Sequence, residues 1–279
     1  MIVSARNISY WIGQRPILHK LSFNIQPGEL TVVLGQNGAG KSTFLKMLSG
    51  ESKPTMGQVL LNNKDLHKIP VKQLATMRAV LSQHYASGLE FNCEEIVMMG
   101  RYPYFSSKPG MDDHRIVKEC MDEMQVLQLT GRNYQAMSGG EQQRVQMARV
   151  LAQLRSVKNS GAHWREEKQQ GLLLLDEPTS SMDVLHQQLA LSKAKELSVL
   201  GYTVVVILHD LNLAAQFADT ILLLKQGCLV ASGGVRDVLT TENLSNAYNL
   251  ELDILESDEY DFPILVPAKH KNKTVLLRS

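Results

Sequence analysis

Eight consecutive residues, Gly35-Gln36-Asn37-Gly38-Ala39-Gly40-Lys41-Ser42, constrain this chain more than any other feature, because they match GxxxxGK[ST] at every fixed position. The pattern means little outside a strand-to-helix turn. Here residues 30–34, LTVVL, form a short apolar β-branched run leading into the glycines, and residues 42–48 follow with helical spacing through Phe44, Leu45 and Leu48. Glycines let the backbone curl until several N–H groups and a helix N-terminus converge on phosphate oxygens. Lys41 then adds positive charge at the β and γ phosphates, and Ser42 offers a hydroxyl to magnesium. The positions expected to hold a nucleotide here are Gly35, Gln36, Asn37, Gly38, Ala39, Gly40, Lys41, Ser42 and Thr43.

Further short apolar runs occur at residues 58–61, 80–82, 172–175, 203–208 and 221–224, each bounded by glycine, polar or charged residues. They predict buried strands of one mixed or parallel sheet in an α/β fold. Residues 92–155 differ: 94–99, 114–127 and 141–154 carry apolar residues at helical intervals with no strand candidate, which predicts a helical subdomain inserted into the sheet domain. Residues 155–171 are polar and charged, a pattern of an exposed loop or a charged helix extension. Beyond Gly227 a helix is expected at 235–239, followed by an acidic and then a basic tail.

Composition narrows the function. Twenty-nine Lys and Arg against 28 Asp and Glu leave a net charge of +1, which gives no electrostatic reason to expect nucleic acid as a partner. The apolar runs fall far short of the roughly 20 residues a membrane-spanning helix needs. The first residues alternate polar and apolar without a continuous apolar stretch, so a strand is expected there and a signal peptide is not. Cys93, Cys120 and Cys228 are scattered, without CxxC spacing, and indicate neither a zinc site nor a disulfide framework.

A second chemical element is the run at 172–175 ending in Asp176-Glu177, which puts two carboxylates at the carboxyl edge of a sheet, where open α/β folds bind ligands. By itself such a terminus is as often structural as functional. Beside a phosphate loop, Asp176 suits magnesium, and Glu177 suits the orientation and deprotonation of a water in line with the γ phosphate.

Between these two elements lies Met137-Ser138-Gly139-Gly140-Glu141-Gln142-Gln143-Arg144. Ser138 is a good helix N-cap with Glu141 at the third position, and the N–H groups of a helix start also suit an anion. With this third element the chain resembles the ATP-binding cassette (ABC) ATPases over about residues 1–235. The resemblance implies an α/β P-loop NTPase (RecA-like) fold: a mixed sheet core, an inserted α-helical subdomain at about 88–158 and an N-terminal antiparallel β region, with residues 236–279 as a C-terminal extension. It implies ATP and Mg2+ as ligands, and a head-to-tail homodimer in which Ser138, Gly139 and Gly140 face ATP on the phosphate loop of the other subunit. It assigns Gln83 to magnesium and the attacking water, Glu177 and His209 to catalysis, Ser42 and Asp176 to the metal, residues 180–183 to the dimer interface and Tyr10 to the adenine ring. Two positions depart from the pattern: Met137 stands where leucine is usual, and Glu141 where glutamine is often found.

Residues 97–104, VMMGRYPY, resemble the MGRxP segment of importers of iron chelates, cobalamin and hemin, and residues 179–187 with the polar insert look most like the hemin-import subgroup. The expected partners are two copies of a multi-span membrane permease and an extracytoplasmic substrate-binding protein, with the chain peripheral on the cytoplasmic face of the cell membrane. Residues from Gln83 to about Tyr104 are expected to touch the permease, unless their aromatic side chains serve the subdomain's own core. A siderophore or cobalamin importer is the alternative. A repair or translation ATPase is disfavoured, since there is one cassette and no sustained heptad pattern.

Overall fold

The computed structural model describes residues 1–82, 90–155 and 170–268. Two sheets sandwich the first helix. The N-terminal sheet is antiparallel, in the order β2-β1-β4-β5, from β1 (Val3–Ile12), β2 (Arg15–Ile25), β4 (Met56–Leu61) and β5 (Lys64–Asp65). The larger sheet contains β3 (Leu30–Leu34), β6 (Arg78–Leu81), β7 (Leu172–Asp176), β8 (Thr203–Ile207), β9 (Thr220–Lys225) and β10 (Cys228–Gly233), in the order β10-β9-β3-β8-β7-β6. Its pairs are parallel except β9 with the edge strand β10.

Every residue of β3, β7 and β8 is buried, as parallel strands covered on both faces must be. Alternation then sorts their side chains between two cores. Val33, Leu172, Leu174, Val205 and Ile207 pack with α1 (Lys41–Ser49) and the antiparallel sheet, whereas Val32, Leu34, Leu173, Leu175, Val204 and Val206 face the helices of the opposite side. The run at 58–61, read from sequence with the main sheet, belongs instead to β4, paired antiparallel to β1 with Val3 opposite Leu61. Met56, Gly57 and Gln58 are exposed and Val59, Leu60 and Leu61 are buried, so the strand enters the core only in its second half.

After α2 (Val71–Met77) come α3 (Cys93–Met98), α4 (Met111–Glu123) and the long α5 (Gly139–Leu154). The MGRxP-like segment docks on α5. Arg101 is fully buried, its guanidinium 2.9 Å from Asp113 and donating to the carbonyls of Ala152 and Arg155, which closes the end of α5. Tyr104 lies under that guanidinium and donates its hydroxyl to Gln153 O at 2.6 Å. Tyr104 therefore serves the subdomain's interior, and Tyr102, 56% exposed, is the aromatic of this segment that faces outward. A Cβ on Gly100 would stand 2.2 Å from Arg149 O. Gly100→Ala is expected to cost about 1–3 kcal/mol by overpacking and to lower the melting temperature by several degrees in a thermal scan. An unchanged melting temperature would mean that α5 moves away freely.

The main sheet is completed by α6 (Val184–Val199), α7 (Leu211–Phe217), α8 (Val235–Val238), α9 (Thr241–Tyr248) and a hairpin of β11 (Leu252–Leu255) and β12 (Ile264–Pro267). Leu239, Leu244, Ala247, Leu252 and Leu265 of this tail are buried in the same cluster as the sheet's helical face. Residues 156–169, most of the polar insert, lie outside the described residues, as do 83–89 and 269–279.

Candidate functional site

The phosphate-binding loop leaves β3 and enters α1 through backbone that only glycine satisfies. Gly35 has φ +148°, and a Cβ there would meet Leu224 O at 2.3 Å; Gly40 has φ +97°, and a Cβ would meet Leu18 Cδ2 at 2.8 Å. Gly40 caps α1 without a side-chain bond, so the first N–H groups of the helix open onto the cleft instead of being capped by the chain itself. That cleft, about 300 Å³, is walled by residues of the loop and helix start from Asn37 to Thr43, by Glu177, and by Arg15 and Ile17 of β2. A larger hollow of about 620 Å³ beside β4 and β5 shares no lining residue with it and opens between Arg6, Lys64 and Lys68. The chemistry converges on the smaller one.

Lys41 is 6% exposed and turns its ammonium onto the loop, donating to Gly35 O at 2.8 Å and Gln36 O at 3.1 Å. Burial pulls its pKa down, and the Glu177 and Asp176 carboxylates oppose that shift. Asp176, at the end of β7, is pushed up by burial and by the neighbouring Glu177, while the Ser42 hydroxyl and Lys41 hold it down. Ser42 Oγ and Asp176 Oδ1 face each other at 3.5 Å, too long for a strong hydrogen bond. These two hard oxygens at the phosphate loop are a donor pair suited to magnesium.

Glu177 follows in the left-handed region at φ +50°, an uncommon conformation for a non-glycine residue. Its N–H bonds Ile207 O at 3.2 Å, which ties the turn to the end of β8. The carboxylate is hydrogen-bonded to Nε2 of His209, two residues beyond that strand. The structure thus brings together Lys41, Ser42, Asp176, Glu177 and His209 from three parallel strand ends.

The SGG segment stands apart, and none of Ser138, Gly139 and Gly140 lines the cleft. Ser138 caps α5 and Glu141 turns back upon it: Ser138 N–H and Oγ–H donate to Glu141 Oε2 at 2.7 and 2.9 Å, and Glu141 N–H returns to Ser138 Oγ at 3.3 Å. Those bonds hold the Glu141 carboxyl below the usual carboxylate range, and Arg132 neutralises its other oxygen at 3.1 Å. The glutamate that replaces glutamine is therefore engaged within its own helix cap. Met137 fills a buried site in the helical core, as the usual leucine would. The glycines are needed for approach, since a Cβ on Gly140 would stand 2.9 Å from Ser181 O in the 180–183 loop. Gln143 Nε2 reaches Glu177 O at 3.4 Å, which links this helix to the turn at the end of β7.

Tyr10 pairs with Leu18 and packs its ring against the N-terminal core; Arg15 and Ile17, not Tyr10, stand at the cleft wall. Gln83 lies outside the described residues. Sequence reasoning also passed over Tyr248, whose hydroxyl accepts the Gly35 N–H at 3.0 Å and whose carbonyl accepts Gln36 Nε2 at 2.6 Å. A tyrosine 213 residues from its partner, in no motif, leaves no local signal.

The family model described as ABC transporter matches residues 18–158. The hemin import ATP-binding protein HmuV of Hahella chejuensis is 42% identical over 254 residues, covering 91% of this chain and 95% of the relative. The protein of the same name from Bordetella pertussis is 40% identical over 270 residues, covering 96% and 100%. Among solved structures, an inward-facing metal-chelate type ABC transporter superposes with a TM-score of 0.76 at 28% identity, covering 95% of this chain and 96% of that one. A dimeric bacterial ABC transporter cassette gives 0.71 at 25%, covering 84% and 99%. With the phosphate loop, the Asp-Glu strand end and the SGG helix cap on one cassette fold, and with relatives of this identity along nearly its whole length, the chain belongs to the ABC transporter family.

Proposed function

We propose that this chain is the ATP-hydrolysing subunit of a hemin importer, working as a head-to-tail homodimer on a membrane permease. The observation that carries the reading is the division of the site. One chain holds a phosphate cleft with its acid and base groups, and holds separately a helix start at Ser138 that lines no part of that cleft. Two antiparallel copies would bring each helix start to the other's cleft and exclude water from both.

In this reading the loop N–H groups and Lys41 hold the ATP phosphates, Ser42 and Asp176 would hold magnesium, and the family pattern assigns Gln83 to the same ion. Magnesium, when bound, would neutralise the β and γ oxygens. Glu177 takes the proton of the attacking water as the water oxygen bonds to the γ phosphorus and the bond to the β–γ bridging oxygen breaks. His209, hydrogen-bonded to Glu177, fixes that carboxylate's direction. Arg15 and Ile17, which line the cleft beside the loop, would meet the nucleotide there. Residues 1–235 form the cassette, with residues 236–268 an extension built onto its core. No helix among the described residues is long and apolar enough to cross a membrane. Membrane association then falls to the permease at the cytoplasmic face, with exposed Tyr102 on the docking surface and a separate binding protein delivering the substrate.

Hemin is supported by the relatives' names and identities. The test is to reconstitute the chain with its permease and binding protein in liposomes and to measure hydrolysis with hemin, a ferric siderophore or cobalamin. Stimulation by hemin alone is expected. Stimulation by a siderophore or cobalamin instead would move the chain to another chelate, and none by any of the three would reject import of this class.

A further inference from the structure

The phosphate loop is gripped from outside the elements that define it. Gly35 N–H donates to the Tyr248 hydroxyl at 3.0 Å, and the Gln36 side chain donates to the Tyr248 carbonyl at 2.6 Å. Gly35 and Gln36 are also the two residues whose carbonyls receive the Lys41 ammonium, at 2.8 and 3.1 Å. A continuous chain of contacts therefore runs from the end of α9 through two peptide units to the charged group of the site. Tyr248 is itself well held. Burial raises its phenol to about 12, so it remains a neutral hydroxyl. Lys225, at the end of β9, anchors α9 by donating to Asn246 O and Oδ1 at 2.7 and 2.9 Å.

The same extension also holds the start of α7. Asn212 and Leu265 exchange two hydrogen bonds, Leu265 N–H to Asn212 Oδ1 at 2.8 Å and Asn212 Nδ2 to Leu265 O at 3.1 Å. Asn212 lies in the first turn of α7, three residues after His209, and its own N–H is capped by Asp210 at 2.8 Å. Residues 241–268 thus touch both the loop that would carry phosphate and the helix that follows the histidine. A loop-and-helix anion site without such an outside strap would have to order its entry on binding, at a cost in affinity.

We infer that Tyr248 is a positioning residue for the phosphate loop, and that through it the C-terminal extension sets the affinity for nucleotide. This rests on the reading of the cleft as the ATP site. Tyr248→Phe keeps the ring and removes the acceptor of Gly35 N–H, so it should weaken binding of a nonhydrolysable ATP analogue and raise KM for ATP by about threefold to tenfold, with a smaller change in kcat. Coupling is reciprocal, so the analogue should slow amide exchange in α9 of the wild-type chain.

The experiment is calorimetric titration and hydrogen exchange on the full chain, with three companions. Tyr104→Phe loses a comparable buried hydroxyl bond in the helical subdomain and controls for stability alone. Gln36→Leu cuts the second strap and leaves the Tyr248 ring in place, so the question stays answerable if Tyr248→Phe folds poorly. Lys41→Ala tests the cleft itself. Weaker binding in Tyr248→Phe, or weaker binding in Gln36→Leu together with loss of the analogue's protection of α9, supports the inference when Tyr104→Phe behaves like wild type. Wild-type affinity in both strap variants, with Lys41→Ala impaired, overturns it. Wild-type affinity in Lys41→Ala as well would instead overturn the cleft reading on which it stands.

Discussion

Glu177→Gln is expected to bind ATP about as well as the wild-type chain and to lose hydrolysis by roughly 10²–10⁴-fold, the range a positioned general base supplies. The left-handed turn at Glu177 and its N–H bond to Ile207 O are set by the strand ends and do not depend on the charge of the side chain, so the amide should occupy the same place. An amide still accepts a hydrogen bond from water and still meets the His209 ring, but it cannot take the proton. Single-turnover hydrolysis and nucleotide titration separate the two effects. Hydrolysis at near the wild-type rate would place the base elsewhere, and loss of binding would mean that the carboxylate is needed to hold the cleft together. A lasting ATP-bound dimer on size-exclusion chromatography is the companion result.

Lys41→Ala should reduce ATP affinity by roughly 30-fold or more, because truncating one partner of a buried charge pair costs about 2–5 kcal/mol. The loss has two parts. The phosphates lose their nearest cation, and the carbonyls of Gly35 and Gln36, which the ammonium bridges, are left to repel an anion. Mixing this variant with Ser138→Arg tests the shared site at the same time. A bulky cation at the start of α5 fills the space in front of the helix, while the cleft of that same chain keeps its loop. Ser138→Arg alone should bind ATP and not hydrolyse it. In the mixture a head-to-tail dimer recovers at most one site, combining intact Lys41 with intact Ser138. No ATP-dependent association in any mixture, even with the permease present, would reject the shared site.

Contiguous patterns were legible in the sequence because the chemistry they serve is local. A loop that must pass from strand to helix through left-handed backbone needs glycines at Gly35 and Gly40, and their places near Leu224 and Leu18 confirm why no other residue serves. The unbroken apolar stretches within 172–175 and 203–208 announced strands buried on two faces, and the helical spacing at 94–99, 114–127 and 141–154 announced the three longer helices of residues 92–155. The run at 58–61 was placed in the wrong sheet, since three consecutive apolar residues do not disclose which neighbour will pair with them.

What the sequence by itself determined is thus the inventory: a phosphate loop, two carboxylates at a strand end, a capped helix start, and the order in which the chain must visit them. Only the tertiary structure decided their relations, since each depends on residues far apart in the chain. It set Glu177 against His209, and sank Arg101 and Tyr104 into the subdomain while leaving Tyr102 outside. It put Arg15 and Ile17 at the cleft wall, and bound the loop to Tyr248. The physical reason is range. Backbone curvature and helix caps are fixed by a few adjacent residues, whereas burial, hydrogen-bond partners and charge neighbours are fixed by where the rest of the chain comes to lie.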